Sequence, residues 1–206
     1  MKNFKLLLTV LAIGLSFYAC KKEELPAGSI PERYADEVFT SVTKTTVTYS
    51  DTFGFEMDIY TPDGDTQMNR PVVILAHGGG FFAGTKENPA MVRLGENLAK
   101  RGYVAASISY HLASGFAEML DSNQATALVM KAIGDGRAAI RYMRKSAANG
   151  NMYGINTDKI FIAGNSAGAI IALHIGFLDE QDILTPRLDS IMTANGGFEG
   201  FSGNEG

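Results

Sequence analysis

The stretch Lys159-Ile160-Phe161-Ile162-Ala163-Gly164-Asn165-Ser166-Ala167-Gly168 places one serine between an apolar run and a second apolar run, Ile170-Ile171-Ala172-Leu173. The β-branched and aromatic residues before the first glycine favour a buried strand, and the later run favours a helix. Ser166 is therefore predicted to lie on a sharp strand-to-helix turn, the pattern called a nucleophile elbow. Because such a strand and helix approach closely, Gly164 and Gly168 are expected to remove Cβ atoms that would clash.

A second glycine-rich segment, His77-Gly78-Gly79-Gly80-Phe81-Phe82, follows the apolar run Pro71-Val72-Val73-Ile74-Leu75-Ala76. A glycine-rich strand exit can present unpaired backbone N–H groups to a ligand. We expect the N–H groups of Gly79 and Gly80 to form an oxyanion hole with the N–H of Ala167, which follows the serine at a helix N-terminus. The two bends together predict an acyl-transfer site.

The chain resembles the α/β-hydrolase superfamily, within its esterase and lipase branch of hormone-sensitive-lipase-like and type B carboxylesterase-like proteins. The resemblance covers about residues 44–200, and these segments carry it: Asp58-Ile59-Tyr60-Thr61-Pro62, Arg70-Pro71, His77-Gly78-Gly79-Gly80-Phe81, Tyr110-His111-Leu112, Asp135 with Ala138 and Ala139, Gly154-Ile155-Asn156, and Gly164 to Ala169. It implies that Ser166 is the nucleophile, that the oxyanion hole is the one described above, and that no cofactor is needed.

The histidine base is not found where the resemblance places it. In this family the order along the chain is Ser, then Asp or Glu, then His. The only histidine after Ser166 is His174, which is about 12 Å further along the same predicted helix and is not expected to reach the hydroxyl. His77 belongs to the glycine-rich strand exit, and His111 stands where the family usually carries Arg.

The acid is also missing from its expected place. Three aspartates follow the serine but come too early, and we expect them to be solvated loop charges: Asp179, Asp182 and Asp189. Asp135 precedes the serine inside a helical pattern, and we expect it to serve helix packing or hydrogen bonding. The simplest account is a C-terminally truncated chain whose base and acid are encoded beyond Gly206.

The order of apolar patterns predicts an α/β fold with a doubly wound, mostly parallel sheet, an α/β-hydrolase fold lacking its last strands and helices. The predicted elements are antiparallel strands at 45–50 and 55–60, a strand at 71–77, a helix at about 89–101, a strand at 103–110, helical periodicity over 122–148, a strand at 159–164, a helix at 166–178 and a last strand near 190–195. Right-handed crossovers place the site at the carboxyl ends of the strands.

The N-terminus has the pattern of a secretory signal. Lys2 and Lys5 precede an apolar stretch from Leu6 to Ala19, which is too short to span a bilayer with ease. The segment Phe17-Tyr18-Ala19-Cys20 is similar to a bacterial lipoprotein cleavage box, which implies lipidation of Cys20; alternatively, Cys20 is only the end of a hydrophobic segment.

These features predict a signal peptide at 1–19, a tether at 20–43 and a partial α/β-hydrolase domain at 44–206. The polar residues after Cys20, with prolines and a glycine, suit a tether that holds the domain off a membrane. We therefore expect an exported lipoprotein, anchored in a bacterial membrane and facing the periplasm or the cell surface.

Composition argues against several other classes. The net charge of −4 disfavours nucleic acid as a partner. The three histidines are far apart and the one cysteine is near the N-terminus, so no metal site is predicted. Gly78, Gly80 and Ala83 fit a dinucleotide fingerprint, but Asn88-Pro89 comes too late to open the helix that a pyrophosphate needs.

The leading hypothesis is a serine carboxylesterase acting on short or medium acyl esters, free or linked to a polysaccharide. Phe81 and Phe82 are candidates to contact the substrate, although either could belong to the core instead. Two alternatives stay open: a catalytically incomplete surface lipoprotein that binds a ligand, and a peptidase of the same superfamily.

Overall fold

A computed structural model describes residue 30 and residues 32–204. The chain divides into two compact units, Met1–Pro31 and Glu32–Gly206. The predicted signal peptide, the predicted lipidation site at Cys20 and residues 20–29 and 31 of the predicted tether lie outside the described residues.

Within the described residues, five strands form one open sheet in the order β1-β2-β4-β3-β5. Their bounds are Val42–Ser50 (β1), Phe55–Pro62 (β2), Arg70–Ala76 (β3), Val104–Ile108 (β4) and Ile155–Gly164 (β5). β1 and β2 are antiparallel, as are β2 and β4, whereas β3 is parallel to both β4 and β5. The predicted hairpin and the parallel centre of the sheet are confirmed.

Helices separate the parallel strands, as predicted. Their bounds are Pro89–Lys100 (α1), Phe116–Leu120 (α2), Ser122–Ala148 (α3), Ala167–Phe177 (α4) and Pro186–Ala194 (α5). The predicted periodicity over 122–148 is one continuous helix, begun by Asp121, whose carboxylate accepts from the N–H groups of Asn123 and Gln124.

The core lies on both faces of the sheet, and every residue of β3 is buried. Val72 and Ile74 pack with α3 and α4 on one face, while Val73 and Leu75 pack with α1 on the other. The period-2 alternation of a strand thus gives two apolar faces. This is the doubly wound arrangement that the sequence predicted.

The prediction of a last strand near 190–195 is wrong, because this segment belongs to helix α5. Thr185 is the N-cap, and its hydroxyl accepts from the N–H of Leu188 at 3.3 Å. Pro186 follows at the first helical position, where its fixed φ and missing N–H suit a helix. Leu188 and Met192 are four residues apart, which is helical spacing, and Met192 is buried.

Residues from Glu32 onward, at the end of the predicted tether, pack against the domain. Arg33 forms an ion pair with Asp65 at 2.5 Å, and the ring of Tyr34 contacts that of Tyr103 at 5.0 Å. In the described residues there is no helix long and apolar enough to cross a membrane.

Candidate active site

Ser166 lies in the turn between the end of β5 at Gly164 and the start of α4 at Ala167, with φ +50° and ψ −113°. A residue with a side chain rarely adopts such a conformation, which costs about 1–3 kcal/mol and persists only where the surroundings enforce it. The enforcing contacts are backbone approaches: a Cβ added to Gly168 would lie 2.0 Å from the Ala76 carbonyl oxygen. One added to Gly164 would lie 2.2 Å from the Gly168 carbonyl carbon, which confirms the expected need for both glycines.

The pairing of β3 with β5 brings the two glycine-rich bends together. Ala76 at the end of β3 is the register partner of Gly164, and its carbonyl accepts from the N–H of Asn165 at 3.2 Å. A Cβ built on Gly78 would lie 3.3 Å from the Cβ of Ser166. The serine and the segment after β3 are therefore in contact at the carboxyl edge of the parallel strands, where open α/β sheets bind ligands.

The segment after β3 is a tight turn. The carbonyl of Gly79 accepts from the N–H groups of both Phe82 and Ala83, each at 3.0 Å. Gly79 has φ +132°, and a Cβ there would lie 1.8 Å from the Ala83 carbonyl oxygen, so only glycine fits this position. Gly80 follows with φ +63° and is exposed, as are Gly79 and Ser166.

The three N–H groups that the sequence singled out are unpaired. Among the hydrogen bonds of residues 32–204, none is donated by the N–H of Gly79, Gly80 or Ala167. Ala167 is the first residue of α4, an eleven-residue helix, so its N–H is one of the orphan donors at the positive end of the helix dipole. Unpaired N–H groups in a glycine-rich turn and at a helix N-terminus are suited to bind an anion.

The BD-FAE family model matches residues 57–198, which include both glycine-rich bends. The chain belongs to the BD-FAE family. With the fold described above, this places it in the esterase branch of the α/β-hydrolase superfamily, as the motifs predicted.

Two proteins that are similar in sequence share only part of their length with this chain. It is 27% identical to "Probable carboxylesterase 3" of Arabidopsis thaliana over 160 residues, which are 75% of this chain and 47% of that protein. It is 29% identical to "Probable isoprenylcysteine alpha-carbonyl methylesterase ICMEL1" of Oryza sativa subsp. japonica over 134 residues, 65% of this chain and 28% of that protein. The chain therefore spans about half or less of these relatives.

A solved structure has a similar fold. Thermogutta terrifontis esterase 2 phosphonylated by cyclosarin superposes with a TM-score of 0.50 at 24% identity, covering 69% of this chain and 49% of that one. At this identity the likeness supports the fold of the BD-FAE domain alone.

His77 is built into the domain behind the glycine-rich segment. Its ring is buried and stacks on Tyr110 with a 4.3 Å centroid separation, and its Nδ1–H donates to the Gly78 carbonyl at 2.8 Å. The Tyr110 hydroxyl donates to the His77 carbonyl at 2.6 Å. Because burial lowers the pKa of His77, the ring is neutral at neutral pH.

His111 belongs to a separate buried network centred on Asp135. The Asp135 carboxylate accepts from the backbone N–H of His111 at 2.8 Å and from its Nδ1 at 2.7 Å, and its other oxygen accepts from the Ser202 hydroxyl. Asp135 is fully buried on α3, so the structural role predicted for it is confirmed. The contact with Ser202 could not be predicted from the sequence, because it joins residues 67 positions apart.

The last histidine is bonded within its own helix, and the late aspartates are exposed to solvent, as predicted for these aspartates. The Nδ1–H of His174 donates to the Ile170 carbonyl of its own helix at 2.8 Å. The three late aspartates are all exposed, although one lies in α5 rather than in a loop: Asp179, Asp182 and Asp189.

The two phenylalanines suggested as substrate contacts differ in their surroundings. Phe81 is only 5% exposed and packs in the core, with its ring edge-on to Tyr110 at 6.2 Å. Phe82 is 49% exposed and meets the ring of Phe116 on α2 at 6.4 Å. Phe82 is therefore the one whose side chain is accessible to a ligand.

An ion pair beside the glycine-rich segment, between Lys86 and Asp58 on β2, was not predicted from the sequence. Asp58 lies inside the apolar run Met57–Tyr60, and this carboxylate in a buried strand was the one sign in the sequence that a buried charged pair exists. Across the described part of the chain, no group of three metal-ligating side chains is found.

Proposed function

We propose that the protein is a serine carboxylesterase that hydrolyses short or medium acyl esters through an acyl-enzyme on Ser166. The observation that carries the proposal is the position of Ser166: an exposed hydroxyl on a strained turn, beside three unpaired backbone N–H groups. The names of the relatives, a probable carboxylesterase and a probable methylesterase, support the same reaction class.

In the proposed reaction, the Ser166 oxygen attacks the ester carbonyl carbon and the carbonyl oxygen becomes an oxyanion. The N–H of Ala167 and that of Gly79 or Gly80 donate to this oxyanion. Collapse of the tetrahedral intermediate expels the alcohol, and water then hydrolyses the acyl-enzyme to release the acid and restore the hydroxyl. Loss of one such donor typically costs about 3 to 4 kcal/mol of transition-state stabilisation.

The Ser166 proton needs a base that the three histidines do not supply. Among the hydrogen bonds of residues 32–204, none joins the Ser166 hydroxyl to a histidine, and the Nδ1 atoms of His77, His111 and His174 are bonded elsewhere. We therefore propose that none of the three histidines is the base for Ser166. It follows that this chain by itself should turn over p-nitrophenyl acetate very slowly.

Covalent labelling tests the role of Ser166. After prolonged incubation with a fluorophosphonate, we expect the mass increase on the peptide that contains Ser166, and no increase in Ser166→Ala. Ser190→Ala, which removes an exposed hydroxyl on α5, is the matched control and should label like the parent. Labelling of Ser166→Ala at the same rate and site as the parent would overturn the proposal.

We also propose that the protein is exported and anchored through lipid on Cys20, which leaves the ester site outside the membrane. The support is the sequence pattern around Cys20 alone. Metabolic labelling with a fatty acid in a bacterial host should mark the parent and not Cys20→Ser. Equal labelling of the two would contradict the anchor.

A further inference from the structure

A buried ion pair lies next to the glycine-rich segment but outside the serine site. Lys86 follows the segment, and its side chain is only 7% exposed, with Nζ 3.1 Å from Asp58 Oδ1. The Asp58 side chain is fully buried on β2, and it also accepts from the Thr46 hydroxyl at 2.7 Å. Nζ donates in addition to Glu87 at 2.6 Å.

The backbone of Lys86 is also bonded to the sheet, next to the residue that pairs with its side chain. The Ser107 hydroxyl on β4 donates to the Lys86 carbonyl at 2.7 Å, and this contact is buried. Ser107 and Asp58 are cross-strand partners in the pairing of β2 with β4. Lys86 is therefore attached twice, through side chain and backbone, to one cross-strand pair in the sheet.

The glycine-rich turn is held at three places, and the Lys86 attachment is one of them. At its start, the His77 carbonyl accepts from the buried Tyr110 hydroxyl. In its middle, Phe81 packs in the core and its carbonyl accepts from the N–H of Ala113 at 2.7 Å. The turn itself is closed by the two hydrogen bonds to the Gly79 carbonyl. The position of Gly79 and Gly80 thus depends in part on where Lys86 is fixed.

The charges around Lys86 make it hard to replace. Burial lowers the pKa of Lys86, but the bonds and charges of Glu87 and Asp58 outweigh it and hold the pKa above its ordinary value. Burial raises the pKa of Asp58, but Thr46, Lys86 and Lys44 outweigh it and lower the pKa. Both groups are therefore charged at neutral pH, and removal of the lysine leaves a buried carboxylate short of its partner.

We propose that Lys86 is a positioning residue for the oxyanion donors: its ion pair with Asp58 holds the turn so that the N–H groups of Gly79 and Gly80 face the Ser166 hydroxyl. The inference rests on the proposed function in one respect, namely that these N–H groups bind an anion. The holding of the turn itself does not depend on catalysis.

Amide hydrogen exchange by NMR on this chain tests the holding of the turn. The N–H groups of Phe82 and Ala83 are the probes, because they are bonded to Gly79 across the turn. In Lys86→Met, both amides should exchange at least about tenfold faster while the amides of β4 keep their rates, since opening of the turn is local. Lys86→Arg, which keeps the charge, should restore slow exchange.

Lys44→Met is the matched control. Lys44 Nζ lies 3.4 Å from the same Asp58 carboxylate, but the residue is on β1, is 48% exposed and has no attachment to the turn. Its loss should leave the Phe82 and Ala83 amides unchanged. Equal acceleration in the Lys44 and Lys86 variants, or no acceleration in Lys86→Met, would overturn the inference.

If Lys86→Met fails to fold, Asp58→Asn provides the test, since it removes the charge that pairs with Lys86 and keeps an oxygen that can accept from the Thr46 hydroxyl. The same two amides should then exchange severalfold faster, and unchanged rates in Asp58→Asn would overturn the inference. Circular dichroism of each variant verifies that the fold is kept.

Ester turnover separates this inference from the proposed function. Where the protein shows Ser166-dependent turnover, Lys86→Met should lower kcat about tenfold or more with little change in KM, and Lys86→Arg should recover most of it. Faster exchange without Ser166-dependent turnover in any variant would remove the proposed function and keep the positioning of the turn. Ser166-dependent turnover, with unchanged kcat and unchanged amide exchange in Lys86→Met, would remove the positioning role of Lys86 and keep the proposed function.

Discussion

The serine at position 166 has a backbone conformation that its own side chain disfavours. Its φ of +50° suits glycine, yet the proposed reaction needs a hydroxyl there. Strain of this kind is stored where the surrounding structure over-determines it, and here Gly164 and Gly168 allow the close backbone approach that does so. Glycine would therefore suit the backbone conformation at position 166, but it lacks the hydroxyl that the proposed reaction needs.

This conflict predicts an order of stability among variants at residue 166. Ser166→Gly and Ser166→Ala both lose the hydroxyl, but only glycine relieves the positive φ, so Ser166→Gly should be more stable by about 1 kcal/mol. Thermal or urea unfolding of the two proteins measures the difference. A more stable Ser166→Ala would show that the turn is not strained.

Asp65 illustrates a residue whose charge stabilises the domain away from the site. Its carboxylate lies 2.5 Å from Arg33 Nη2 and 2.7 Å from Arg70 Nε, and it accepts from the Gln67 N–H at 3.1 Å. Burial alone would raise the pKa of Asp65, but these partners outweigh it and lower the pKa to about 2 from 3.8. Asp65 is thus held in its charged form by the folded state.

The sign of the pH effect follows from the lowered pKa. The stabilisation is complete above about pH 4 and is lost as the pH falls toward 2, and at neutral pH it amounts to about 2 kcal/mol. Asp65→Asn should reduce the free energy of unfolding at pH 7 by about that amount and flatten its decline in acid. Asp51→Asn, at an exposed position, is the control and should change neither quantity. Parallel acid profiles for the parent and Asp65→Asn would contradict the assignment.

At the scale of single elements, the contact between α4 and β3 is the one that shapes the site. A Cβ on Gly168 would strike the Ala76 backbone, whereas a Cβ on Gly176, eight residues later in the same helix, would meet nothing within 4 Å. Gly168→Ala should therefore destabilise the domain by about 3 kcal/mol or more, since backbone cannot yield easily. Gly176→Ala should stabilise it by about 0.5–1 kcal/mol through helix propensity. Unfolding by urea compares the two, and equal effects would contradict the close approach.

The same elements show what the sequence could and could not predict. The strands, the long helix α3 and the serine turn were predictable, because their apolar periods and glycines are local signals. β5 begins at Ile155, earlier than predicted, because Ile155 pairs with Arg70 on β3 far along the chain, while the polar residues 156–159 that follow it give no strand signal. The contact of Lys86 with Asp58 could not be predicted for the same reason. It joins residues that are distant in the chain, and a single sequence does not show which distant residues pair.

At the scale of the whole molecule, one side of the sheet is left open. Among residues 32–204, β5 pairs with β3 only, and its Phe161 side chain is exposed. On the other face of the sheet, α4 exposes Leu173 and Phe177, and Ile183 follows with 98% exposure. These last three residues line a groove of about 350 Å³. An unpaired strand edge and an exposed apolar groove both favour association.

This surface predicts that the chain by itself associates with further copies through the α4 groove. Phe177 is 79% exposed, and burial of such a ring against another copy stabilises the contact by about 2 kcal/mol. The average mass in sedimentation velocity should therefore rise with concentration, and Phe177→Lys combined with Ile183→Lys should suppress the rise. Met68→Lys combined with Met152→Lys adds the same charge at two exposed apolar residues elsewhere and should leave association unchanged. A parent that stays monomeric at every concentration, or equal suppression by both pairs, would show that the open side of the sheet does not drive association.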